Sequence, residues 1–132
     1  YNQVQACDLS PEMLLVAESR KCYTQTDVLD LSQTPLPYAD EAFDAVTCVG
    51  TLTYVDPDAG TLLDFIRITR SGGFICFTNR TDKLEKWEKE QARLESKGLW
   101  KLVDRSGPLP YLPGNPEYGE NVKVVMYLYR VL

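Results

Sequence analysis

Histidine is missing altogether from this 132-residue chain. That removes the commonest general base at neutral pH and the commonest metal ligand. Cysteine is sparse and scattered: Cys7, Cys22, Cys48 and Cys76 form no CxxC pair, so neither a zinc site nor a disulfide framework is indicated, and all four read as small core residues. No apolar run approaches the roughly 18 residues that cross a bilayer, and no basic segment leads into an apolar one at the start. Positive charge is in the minority, 14 Lys and Arg against 19 Asp and Glu for a net charge of −5, and it forms no stripe. A phosphate backbone would therefore meet net repulsion. These absences predict a soluble, non-secreted protein, cytoplasmic with the nucleus left open, without a metal, nucleic acid or a membrane among its partners.

What is present is an ordinary globular composition, 44% hydrophobic and 25% charged, enough for one domain. Residues 3–7 read as a strand. Ser10 then caps a helix with Pro11 at its first position, and Met13, Leu14, Val16 and Ala17 supply the apolar face. A second strand is expected over 22–26, and residues 27–40, with two prolines and no sustained period, read as loop. The run at 43–49 is nearly continuously apolar, as in a strand buried on both faces of a parallel sheet. Asp56-Pro57 opens a helix ending near Arg70, Ser71-Gly72-Gly73 turns the chain, and 74–78 is the next strand. A long charged helix follows, with Leu84, Trp87, Gln91 and Leu94 on one stripe and Gly98 to stop it. The last strands are 100–104 and 122–131. The latter alternates, with Val122, Val124, Met126 and Leu128 against Lys123, Val125, Tyr127 and Tyr129, and between the two lies a loop, PLPYLPGNPEYG, at 108–119.

Strands separated by helices imply parallel pairing with right-handed crossovers, whereas the last two strands, lacking a helix between them, imply one reversed strand. Ligands of an open parallel sheet bind outside the carboxyl ends of its strands. The residues there are Asp8-Leu9, Asp27-Val28, Val49-Gly50-Thr51-Leu52 and Asn79-Arg80-Thr81-Asp82. A carboxylate just past a strand can accept from both hydroxyls of a ribose, which makes Asp8 the first candidate. Its other reading is a solvated turn residue leading into the Ser10 cap. Asp27 is read either as an acceptor for an adenine amino group or as a residue that starts a loop. Tyr54, Tyr111 and Tyr118 are candidates for an acceptor pocket, against plain packing roles among eight tyrosines. The match of Asn79-Arg80-Thr81 to a glycosylation sequon is read as accidental, and the charged stripe over 83–97 as a solvated helix face.

The segments CDLSPEML, TPLPYADEAFDAVTCVGTLTYV and FIRITRSGGFICFTNRTD resemble, in order and spacing, the regions beyond the first motif of class I S-adenosylmethionine-dependent methyltransferases of the methyltransferase-11 type. The resemblance implies an α/β, Rossmann-like sheet in the order 3-2-1-4-5-7-6, mostly parallel with one antiparallel strand near the C-terminus. It also implies S-adenosyl-L-methionine as cofactor and a small molecule or protein as methyl acceptor. By motif, Asp8 matches the residue on the ribose hydroxyls and Leu9 the apolar residue beside the adenine. Asp27 and Val28 match the pair at the adenine edge, and Cys48, Val49 and Gly50 the segment along the methionine moiety. The family's glycine-rich loop has no counterpart before Asp8, so residues 1–132 are expected to be the C-terminal two-thirds of one domain, with the first strand absent. Two other readings compete: an NAD(P)-dependent Rossmann oxidoreductase, and a non-catalytic fragment serving as an interaction module.

Overall fold

The computed structural model describes residues 2–117 and 121–132. It forms two sheets. In the first, β1 (Gln5–Asp8) pairs parallel with β2 (Gln25–Val28), joined by α1 (Pro11–Ser19). As the sequence predicts, the Ser10 side chain accepts from the Met13 N–H at 3.2 Å and Pro11 opens the helix. Both strands lie later than predicted, β2 by about three residues. Lys21 takes a left-handed backbone at φ 57°, and the chain from there to Thr24 closes the turn, with the Thr24 N–H on the Val4 carbonyl at 2.8 Å.

The second sheet holds β3 (Phe43–Cys48), β4 (Thr69–Arg80), β7 (Lys123–Val131) and β5 (Trp100–Arg105) in that order, with the two-residue β6 (Leu109–Pro110) also on β7. β3 and β4 are parallel, and β7 runs antiparallel to β4, β5 and β6. The reversed strand therefore sits between β4 and β5, so β5 runs the same way as β4. The order β2-β1 corresponds to the 3-2 part and β3-β4-β7-β5 to the 4-5-7-6 part of the expected 3-2-1-4-5-7-6 order, and no strand pairs with both sheets among the described residues.

Three local predictions are corrected. The helix expected from Asp56 to Arg70 is divided: Gly60, at φ 84°, separates a 3-10 turn at Pro57–Ala59 from α2 (Thr61–Ile68). The Ser71-Gly72-Gly73 turn is a bulge inside β4, since register passes from Phe43–Thr69 to Ala45–Phe74. Gly73 has no room for a side chain there, because a Cβ would lie 2.6 Å from the Asp44 carbonyl oxygen. The 108–119 loop is not all loop, because β6 continues the pairing along β7 and the Tyr111 N–H reaches the Val122 carbonyl at 3.0 Å.

The core lies between one face of the larger sheet and the helices α2 and α3 (Leu84–Ser96). Leu62, Phe65, Ile66 and Ile68 come from α2, Trp87 and Leu94 from α3, and Ile75, Phe77, Val125, Tyr127 and Tyr129 from the strands. Gly98, at φ 70°, ends α3 as predicted, its N–H on the Glu95 carbonyl. Phe77, Trp100, Tyr127 and Tyr129 stack as a slab, with Trp100 and Tyr129 centroids 3.9 Å apart. The smaller sheet has no such core. On α1 only Leu14 is buried, while Met13 and Val16 are exposed because two short strands cannot cover a helix face. For the same reason the four cysteines are not all core residues: Cys48 is buried and Cys76 half-buried, but Cys7 and Cys22 are exposed.

Candidate active site

The carboxyl ends of β1 and β2 carry the first group of candidates. Asp8 is the last residue of β1 and is exposed. Its Oδ1 accepts the Ser10 N–H at 2.9 Å, so it does form the turn into the cap, with its second oxygen left to solvent. Leu9 beyond it is exposed. Asp27 and Val28 close β2, in register with Cys7 and Asp8. Val28 is exposed, whereas Asp27 is half-buried and its carboxylate is already engaged. Gln25 Nε2 donates to both its oxygens, at 3.0 and 2.9 Å, and the Tyr38 hydroxyl donates to Oδ2 at 2.9 Å. Burial and then this bond to Asp27 raise the Tyr38 phenol above its ordinary value, so it stays protonated. Although Cys7 is exposed as a residue, partial desolvation of its thiol and the charges of Asp27 and Asp8 also raise it.

The second group stands at the ends of β3 and β4. Cys48 turns into the core, where burial pushes its thiol up to about 12, so its side chain is committed to packing. Val49 is 71% exposed. Gly50, at φ 79°, donates its N–H to Thr78 Oγ1 at 3.0 Å, which ties the end of β3 to β4. Tyr111 lies over Gly50, and a Cβ there would meet the tyrosine hydroxyl oxygen at 3.1 Å. Tyr54, at the end of a 3-10 turn at Leu52–Tyr54, is 75% exposed. Tyr118 lies outside the described residues.

Arg80 ends β4 and grips Asp82 as a fork, Nε to Oδ1 at 3.0 Å and Nη2 to Oδ2 at 2.9 Å. Those bonds raise the guanidinium above its ordinary value. Asn79 is 1% exposed, so the sequon is inaccessible.

The structure thus brings Gly50, Thr78 and Tyr111 together and holds Asp8 and Asp27 on adjacent strands. Sequence reasoning missed Tyr38 and Thr78. Thr78 was within reach as the residue just before the inspected 79–82 string, but nothing in the proline-rich 27–40 stretch marks Tyr38. Among the described residues no group of His, Cys, Asp and Glu side chains is arranged to hold a metal, and no helix is long and apolar enough to cross a membrane.

An open α/β sheet with carboxylates and a bare glycine at the carboxyl ends of its parallel strands defines a Rossmann-like ligand-binding fold. The methyltransferase domain family matches residues 1–77. The chain belongs to that family. Methyltransferase-like protein 27 of Homo sapiens is 33% identical over 105 residues, which is 76% of this chain and 42% of that protein. The segments YADEAFDAVTCVGTLTYVDPD and PLPYLPGNPEYGENVKVVMYLYRV resemble it in particular. The chain therefore spans less than half the length of that relative. Among solved structures, an N-methyltransferase of Bradyrhizobium japonicum in complex with S-adenosyl-L-homocysteine superposes with a TM-score of 0.69 at 16% identity, over 98% of this chain and 66% of that one. A [4+2]-cyclase superposes with a TM-score of 0.70 at 13% identity, again over 98% of this chain and 66% of that one. Likeness at such identities carries the fold alone, and one fold serves both reactions. The antiparallel β7 between β4 and β5 fits the methyltransferase order, and nothing in the fold or the comparisons supports the oxidoreductase reading.

Proposed function

We propose that the intact protein carrying this chain transfers a methyl group from S-adenosyl-L-methionine to a small molecule or protein. The observation that carries the reading is the placement of Asp8, Asp27 and Gly50 at the carboxyl ends of β1, β2 and β3 in a chain of the methyltransferase domain family. The residues fit such a cofactor. The Asp8 carboxylate keeps one oxygen free to accept from ribose hydroxyls, with exposed Leu9 beside it to lie against the base. Asp27 and Val28 take the adenine edge. The backbone of Cys48, Val49 and Gly50 takes the methionine moiety, beside Tyr111, which fills the space a Cβ on Gly50 would occupy.

The cofactor, when bound, supplies an electrophilic methyl on a sulfonium. The chain's part is to align it with a nucleophile, since in-line transfer depends mainly on positioning, which is worth several kcal/mol. Where the nucleophile must lose a proton, Asp, Glu and Tyr are the acceptors that residues 1–132 themselves offer, since they include no histidine. Tyr54 and Tyr111 line the acceptor side, and residues 108–117 cover it. A cytoplasmic or nuclear location and a partner set without nucleic acid belong to the same proposal, supported by the net charge of −5.

Isothermal titration of the intact protein tests this. Saturable binding of S-adenosylmethionine and none of NADH is the expected result. Binding of NADH, or of neither, would overturn it, and the latter would favour the interaction-module reading.

A further inference from the structure

A single guanidinium fastens the connection between β2 and β3 to α2. Arg67 donates from Nε to Asp64 Oδ1 at 2.6 Å, from Nη1 to the Tyr38 carbonyl at 2.7 Å and Asp40 Oδ1 at 2.8 Å, and from Nη2 to the Leu36 carbonyl at 2.9 Å. The other oxygen of Asp64, itself only 6% exposed, accepts the Leu36 N–H at 2.6 Å, and the Arg67 carbonyl accepts the Glu41 N–H at 2.8 Å. Both backbone polar groups of Leu36 and the carbonyl of Tyr38 are thus fixed by one ion pair on one helix. The Tyr38 ring is then held edge-on to Phe43, with centroids 5.1 Å apart at 83°, and its hydroxyl meets Asp27 Oδ2.

This arrangement controls what Asp27 offers to a ligand. Oδ2 accepts from Tyr38 and Gln25, while among the described residues Oδ1 accepts from Gln25 alone. A carboxylate oxygen has two lone pairs, so the spare capacity lies on Oδ1, and it is purely an acceptor. We infer that Tyr38, latched by Arg67 and Asp64, is a positioning residue that presents Asp27 Oδ1 to an amino group on the ligand's base, and so selects a 6-aminopurine over a 6-oxopurine. This rests on the proposed cofactor reading, in which Asp27 meets the adenine edge. A 6-oxo group would bring a lone pair against Oδ1 with no proton between them, and a site that hydrogen-bonds one group rejects an analogue that cannot answer the bond.

The experiment is titration of the intact protein with S-adenosylhomocysteine and with its 6-oxo counterpart, S-inosylhomocysteine. The wild type is expected to prefer the amino ligand. Tyr38→Phe keeps the ring and its contact with Phe43 but loses the hydroxyl, and it should reduce that preference about tenfold, the scale of one hydrogen bond to a charged group. Asp27→Asn should reverse the preference, because Tyr38 still donates to the amide oxygen and so turns the amide N–H₂ toward the ligand. Adding Tyr38→Phe to Asp27→Asn should abolish that reversal. An unchanged preference in Tyr38→Phe, or equal weakening of both ligands, would overturn the inference while leaving the cofactor reading intact. Failure of the wild type to bind either ligand would overturn both.

Discussion

Replacing Gly50 by alanine probes the contact between the end of β3 and the 108–119 segment. Gly50 has φ 79°, where any L-residue incurs a backbone cost of roughly 1–2 kcal/mol relative to glycine. The new Cβ would also stand 3.1 Å from the Tyr111 hydroxyl oxygen, so the ring must give by a few tenths of an ångström. Because Tyr111 is only half-buried, that displacement should fall at the low end of overpacking costs, about 1 kcal/mol. Gly98 supplies the control, with φ 70° and nothing within 4 Å of an added Cβ. Urea unfolding of the intact protein should therefore show Gly50→Ala destabilised by about 2–3 kcal/mol and Gly98→Ala by about 1–2 kcal/mol. In a cycle with Tyr111→Phe the nearest atom becomes Cε2 at 3.6 Å, an ordinary contact, so a coupling of about 1 kcal/mol should appear. Equal costs at the two glycines, with no coupling to Tyr111, would refute the placement of Tyr111 over Gly50.

Asp8→Ala should weaken S-adenosylmethionine binding about tenfold to a hundredfold in titration, since it removes charge-assisted bonds worth roughly 1.5–3 kcal/mol, and unchanged affinity in a folded variant would refute its ribose role. Arg67→Met should destabilise the protein by about 3 kcal/mol in urea, because it strands the buried Asp64 carboxylate; the exposed Asp40 arm should contribute little, so Asp40→Ala should cost under about 1 kcal/mol. With its pKa pushed up to about 12, Cys48 is ionised to about one part in ten thousand at pH 8, so iodoacetamide should label exposed Cys22 first and reach Cys48 only on unfolding, as peptide mapping would show. The same raised group binds its proton more tightly when folded. Its contribution to stability is therefore complete below the ordinary value of 9.0 and lost as pH rises from there toward 12, and a melting temperature flat across that range would contradict it.

Where the physics is local, the sequence displays it. Ser10 with Pro11, the apolar run of β3 and the Leu84-Trp87-Gln91-Leu94 stripe each declare an element through neighbouring residues alone, although β3 is not buried on both faces as expected: it is an edge of the larger sheet among the described residues, and Ala45 and Thr47 are exposed. β7 shows the limit. Its alternation is plain, yet the buried face is the one with Tyr127 and Tyr129, while Met126 on the more apolar-looking side is exposed. The tyrosines can be buried because their hydroxyls donate to Glu88 and Gln91 on α3, partners some forty residues earlier. The candidate site divides in the same way. Asp8, Asp27 and Gly50 are visible as residues at strand ends. Tyr38 acquires its role only through Arg67, which lies 29 residues away in sequence and whose Nη1 holds the Tyr38 carbonyl.

Among the described residues the two sheets share no strand pairing, and α1 leaves most of its apolar side uncovered. The β1-α1-β2 unit is joined to the larger sheet through the 29–41 connection and the bond from Tyr38 to Asp27. In residues 1–132 taken alone, a ligand that touches both Asp8 and Gly50 would therefore add to the cohesion of the two sheets. Its binding free energy would add to the work of separating them, by RT ln(1 + [L]/Kd), about 2.7 kcal/mol at a hundredfold excess over Kd. The melting temperature of this stretch of chain would then report ligand concentration.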